Sequence, residues 1–126
     1  MTTTVLYIED QDDNVVLVQR ILKRRPHLDL VIAGTGAEGL RLAQQTRPAL
    51  ILLDRQLPDM LGDDVLMQLK NDDETADAVV VMLSGDTEKP HIAAALAAGA
   101  AAFLGKPFHV AELLAVADRY CASEPP

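Results

Sequence analysis

A chain of 126 residues, 49% hydrophobic and with a formal net charge of -8, is long enough for one domain with its own core. The acidity argues against a nucleic-acid surface, which needs clustered Lys and Arg. The single cysteine, Cys121, excludes an internal disulfide and reads as an inert packing residue.

The first apolar run, Val5 to Ile8, predicts a strand that stops at Glu9 and Asp10. It begins after Met-Thr-Thr-Thr without a signal-peptide layout, so the chain is expected to be cytoplasmic. Asp12, Asp13 and Asn14 offer caps for a helix. Val15, Val18 and Leu22 recur along it at helical spacing, with Leu17 and Ile21 beside them, and Pro26 ends it. Leu28 to Ala33 is a second strand, and Gly34-Thr35-Gly36 turns the chain. Thr35 and Glu38 have capping-box spacing for a helix that carries Leu40 and Ala43 and ends near Thr46.

Ala49 to Leu53 is the third strand, and its unbroken aliphatic run reads as buried on both faces. It delivers Asp54 into a loop shaped by Pro58 and closed by Gly62. Gly62 or Asp63 starts a helix with Val65, Leu66 and Leu69 on one face. Ala78 to Leu83 is a fourth strand that ends at Ser84-Gly85-Asp86. Pro90 suits the first turn of the next helix, where Ile92, Ala95 and Leu96 form an apolar stripe and Gly99 marks the stop. Ala101 to Leu104 is a fifth strand ending at Gly105-Lys106-Pro107. Val110 to about Cys121 forms a last amphipathic helix, with Val110, Leu113, Leu114 and Ala117 expected inward. No apolar run approaches the roughly 20 residues that span a bilayer.

Strand and helix alternate five times, which predicts an α/β domain with a doubly wound, parallel five-stranded sheet and helices on both faces. Right-handed crossovers favour the flavodoxin-like strand order 2-1-3-4-5. In that order the ends of strands 1, 3, 4 and 5 gather Glu9, Asp10, Asp54, Ser84 and Lys106 at one edge. Singly, each has a plainer explanation as a turn former, a helix-start acid or a solvated lysine. Together, three carboxylates need a counter-charge, and a hard, hydrated cation such as Mg2+ meets that need. A carboxylate nucleophile, a metal, a hydroxyl and an amine form a set suited to phosphoryl transfer. No Walker loop or GxGxxG motif follows the first strand, which disfavours nucleotide binding.

On these residues the chain resembles the receiver (phosphoacceptor) domain of two-component response regulators, over about residues 4 to 121. The resemblance implies that Asp54 accepts a phosphoryl group from the phosphohistidine of a sensor histidine kinase or histidine phosphotransfer protein. It implies that Asp10 binds Mg2+ directly, that Glu9 does so largely through water, and that the backbone carbonyl of Gln56 is a further ligand. Ser84 and Lys106 would hold phosphoryl oxygens. Pro107 would follow a cis peptide, and Phe103 would occupy the aromatic switch position. Gln56 and Asp86 would flank the path of the hydrolytic water and tune dephosphorylation. The output would leave through the fourth helix, fifth strand and fifth helix, toward a downstream protein or a fused domain. Homodimerisation on phosphorylation is compatible with that face.

The sequence departs from the family pattern at Ser84 (commonly Thr), Gly85 (Ala), Arg55 (apolar), His109 (a capping residue) and Phe103 (Tyr). None removes a required functional group, but Arg55 has no assigned role, and His109 predicts a less firm start for the last helix. The expected organisation is a receiver over residues 1–121, with 122–126 a tail or the start of a linker. It is a switch with slow self-dephosphorylation rather than a turnover enzyme. The alternatives are a receiver cut from a hybrid histidine kinase, an unphosphorylated interaction module, and a small phosphatase with Asp54 as nucleophile. The phosphatase would need a second acid, for which Asp59 and Asp86 are poorly spaced.

Overall fold

Each apolar run becomes a strand and each periodic segment a helix. In order they are β1 (Thr3–Ile8), α1 (Asp12–Leu22), β2 (Leu28–Ala33), α2 (Gly36–Thr46), β3 (Leu50–Asp54), α3 (Gly62–Asn71), β4 (Val79–Ser84), α4 (Lys89–Ala97), β5 (Ala102–Gly105) and α5 (Val110–Tyr120). The structure, a computed structural model, describes residues 2–122. The expected tail therefore lies outside the described residues from position 123 onward. Strand limits differ from the sequence expectation by one or two residues, the usual uncertainty of element ends.

The five strands form one parallel sheet in the expected order β2-β1-β3-β4-β5. The central strand β3 is buried along its whole length, as its unalternating sequence requires. Alternate side chains feed two cores. Tyr7, Leu52 and Leu83 pack on one face with Val18 and Ile21 of α1 and Leu113 and Ala117 of α5. Ile8, Leu53 and Met82 pack on the other with Ala43 of α2 and Val65, Leu66 and Leu69 of α3. No helix among the described residues is long and apolar enough to cross a membrane.

Local signals explain several boundaries. Thr35 caps α2, its hydroxyl accepting from the Glu38 N–H at 3.1 Å. Gly62 starts α3 flush against the end of β3, where a Cβ would lie 2.5 Å from the Asp54 carbonyl oxygen and 2.8 Å from Arg55 Cα. Gly99 ends the α4 turn with φ +112, a conformation that disfavours other residues.

Four expectations need correction. None of Asp12, Asp13 and Asn14 caps α1; Gln11 holds the cap position without a side-chain bond, Asp12 and Asp13 lie in the first turn, and Asn14 turns toward Glu9 instead. Leu96 is 46% exposed and Val110 37% exposed, so neither points inward. The neighbouring edge strand β5 has only four residues, too little sheet to cover a full helical stripe. The start of α5 is firmer than His109 predicts, because the Glu112 carboxylate accepts from the His109 backbone N–H at 2.9 Å.

Candidate functional site

Backbone bonds extend the sheet one residue past its strands and fix the groups at its carboxyl edge. The Glu9 N–H donates to the Ala33 carbonyl at 2.9 Å, Arg55 N–H to Leu83 at 2.9 Å, and Lys106 N–H to Ser84 at 2.8 Å. The strand ends therefore hold Glu9, Asp54, Ser84 and Lys106 in adjacent rows. The Lys106–Pro107 peptide is cis.

The loop after β3 is pinned at both ends. The Gly62 N–H donates to the Arg55 carbonyl at 2.6 Å. The Asp59 carboxylate accepts from the Gly36 and Ala37 N–H groups at 2.8 and 3.0 Å, at the N-terminus of α2. Those two bonds hold the Asp59 carboxyl below its ordinary range.

Lys106 is the hub of the site. Its Nζ donates to Asp54 Oδ1 at 2.8 Å and to Glu9 Oε1 at 3.2 Å. Glu9 and Asp54 are 1% and 6% exposed, whereas Asp10 is open to solvent. Asn14 donates its amide to Glu9 Oε1 from the first turn of α1. Burial first, and the neighbouring Asp54 carboxyl second, push the Glu9 pKa up to about 7. Tyr7, buried beneath them, is also raised, by burial and then by Glu9 and Asp54.

This arrangement fits a hard divalent cation. Glu9, Asp10 and Asp54 each offer an oxygen, and the three oxygens lie within 4.8 Å of one another. Glu9 Oε2 is buried without a hydrogen-bond partner, and one lysine is the only cation bonded to the group among the described residues. An all-oxygen donor set with excess negative charge and one open side is what Mg2+ accepts.

The groups open onto a cleft of about 670 Å3, lined by Asp10, Asp54, Gln56, Ser84, Asp86 and Lys106 among others. Sequence expectation and structure thus bring together seven residues, counting Glu9 behind the cleft wall. Phe103 stands apart, half-buried on the face packed by α2, α3 and α4. The Ser84 hydroxyl accepts from the Asp86 N–H at 3.0 Å. Neither candidate second acid has the raised pKa that would favour proton donation. Asp86 is held below its ordinary range by the Glu88 N–H, then by His91 and Arg55, and Asp59 by the start of α2. Asn14 and the partners of Arg55 were not visible in the sequence. Asn14 stands five residues after Glu9, where it is indistinguishable from a cap.

Comparison with known proteins agrees with the geometry. Residues 5–118 match the family described as response regulator receiver domain. The chain is 32% identical over 110 residues to Histidine kinase P4 of Formosa agariphila, covering 87% of this chain and 8% of that protein. It is 32% identical to the DNA-binding response regulator MtrA of Mycolicibacterium smegmatis, covering 87% and 47%. The chain therefore spans about half of one relative and a small part of the other.

Two solved structures share the fold. The signal receiver domain of a Luxo repressor protein from Vibrio parahaemolyticus superposes with a TM-score of 0.87 at 26% identity, covering 95% of this chain and 90% of that one. The receiver domain of sensor histidine kinase PA1611 from Pseudomonas aeruginosa, with a magnesium ion in its cleft, gives 0.86 at 23% identity, covering 98% and 100%.

Proposed function

Because this chain belongs to the response regulator receiver domain family, whose members act as phosphoacceptor switches in phosphorelays rather than as turnover enzymes, we propose that Asp54 is its acceptor. The donor is the phosphohistidine of a sensor kinase or histidine phosphotransfer protein. The P–N bond breaks as an Asp54 oxygen bonds to phosphorus, and the imidazole leaves with the electron pair. The observation that carries this assignment is Lys106 Nζ at 2.8 Å from Asp54 Oδ1, in a cleft where Glu9 and Asp10 converge on the same carboxylate.

The roles follow from chemistry. Lys106 neutralises charge on the acceptor and then on a phosphoryl oxygen, and the Ser84 hydroxyl donates to another. Glu9, Asp10, Asp54 and the Gln56 carbonyl are the residues that would hold Mg2+. When bound, the ion would offset the charge of the phosphoryl oxygens. Gln56 and Asp86, at the rim of the cleft, tune the access of hydrolytic water. Phosphorylation adds charge and acceptor oxygens that draw Ser84 inward, and Phe103 turns into the space vacated beside β4. The signal then leaves through α4, β5 and α5, to a docking protein or an attached output domain. Residues 1–121 make up the receiver unit.

The test is phosphorylation by acetyl phosphate with Mg2+, read by intact mass. The wild type should gain one phosphoryl group, and Asp54→Asn or removal of Mg2+ by chelation should abolish the gain. Full labelling of Asp54→Asn would show that another residue is the acceptor.

A further inference from the structure

Arg55 follows the acceptor directly, and its guanidinium bridges two elements. Nε donates to Asp63 Oδ1 at 3.2 Å, in the first turn of α3, and Nη1 donates to Asp86 Oδ2 at 3.2 Å, in the loop before α4. The side chain is 21% exposed, so the pair is partly shielded. Asp86 is a junction in turn. Its Oδ1 accepts from the Glu88 N–H at 3.1 Å, and its Oδ2 lies 2.5 Å from His91 Nδ1 in α4. Its backbone N–H holds the Ser84 hydroxyl at 3.0 Å. One chain of contacts thus runs from the residue beside the acceptor, through Asp86, to Ser84 and to the first turn of α4.

The two ends of this strap are unequal. Asp63 sits on α3, which is anchored by Val65, Leu66 and Leu69. Asp86 sits in a loop that leads into a helix with no buried residue, and beside it a Cβ on Gly85 would meet nothing within 4 Å. The strap therefore loads the side that is free to move. We propose that Arg55 is a positioning residue whose bond to Asp86 holds the β4–α4 loop in its resting place, so that Ser84 reaches a phosphoryl group on Asp54 only as that bond gives way. The inference rests on Asp54 being the acceptor.

The experiment is equilibrium binding of beryllofluoride, a phosphoryl mimic, at saturating Mg2+, with folding of each variant checked by circular dichroism. No hydrolysis occurs, so effects on phosphoryl lifetime do not enter. Arg55→Met and Asp86→Asn should each tighten binding about two- to fivefold, the scale of one partly exposed ion pair. The double variant should gain no more than either alone, because both remove the same ion pair.

The sign is the discriminating readout. A purely electrostatic role predicts opposite shifts, since one variant removes a positive charge and the other a negative one. Opposite signs, additive effects or unchanged affinities beside a wild type that binds would overturn the inference alone. A wild type that fails to bind beryllofluoride would overturn the acceptor assignment, and the strap with it.

Discussion

Helices α3 and α4 follow neighbouring strands and both begin beside the candidate cleft, yet only α3 has fully buried side chains. Val65, Leu66 and Leu69 of α3 are fully buried against the sheet, and Gly62 lets the helix start against the Asp54 carbonyl. In α4 no residue is buried, and the chain offers mostly alanine with Leu96 half exposed. The contrast assigns different work to the two walls of the site. α3 fixes where Asp54 sits, whereas α4 has only Ala95 partly buried against the core, a few polar contacts at its start and a glycine turn at its end. A switch needs one wall that stays and one that can be repopulated at small cost.

The largest test of that contrast lies in α3. Leu66→Ala should destabilise the protein by about 2–5 kcal/mol, the range for a fully buried leucine. A shift of the urea unfolding midpoint at constant slope reads it directly. A cost below about 1 kcal/mol would mean that α3 is not the anchor, since well-packed sites do not lose a leucine so cheaply.

The candidate site was legible in the sequence because its groups end apolar runs. Glu9-Asp10, Asp54, Ser84 and Lys106 each follow a strand, and strand order then places them together. What stayed hidden depends on side-chain direction rather than on pattern. Asp86 lies 31 positions after Arg55, and no periodicity links them. Asn14 carries the signature of a cap but spends its amide on Glu9. Leu96 and Val110 fall in apolar patterns that look like those of buried stripes, and only the short edge strand decides otherwise. Asp59 was weighed as an acid, while its position lets it cap α2 across 23 residues.

A middle-sized effect is expected where the turn after α4 meets Lys70 near the end of α3. Gly99 adopts φ +112, and a Cβ there would lie 3.1 Å from Lys70 Cγ. Lys70 is itself fixed, its ammonium donating to the Ala76 and Ala78 carbonyls at 3.0 and 2.8 Å. Gly99→Ala should therefore cost about 1–3 kcal/mol from backbone strain. Amide exchange should show the loss concentrated in α4, with α3 protected to nearly the global limit. Equal loss of protection in both helices would mean that they open as one unit and would erase the distinction between the walls.

The smallest effect is the sharpest test. Leu96 is the one large aliphatic residue in the second half of α4, and at 46% exposure it leaves much of its side chain in water in the folded state. Leu96→Ala should change stability by no more than about 0.5 kcal/mol, as surface substitutions do. Alanine also has the higher helix propensity, which offsets part of the lost contact. A cost of about 2 kcal/mol or more in the same urea titration would require Leu96 to be packed in solution. Then α4 would be anchored by burial, as α3 is, and the bond from Arg55 to Asp86 would no longer be what keeps the β4–α4 loop in place.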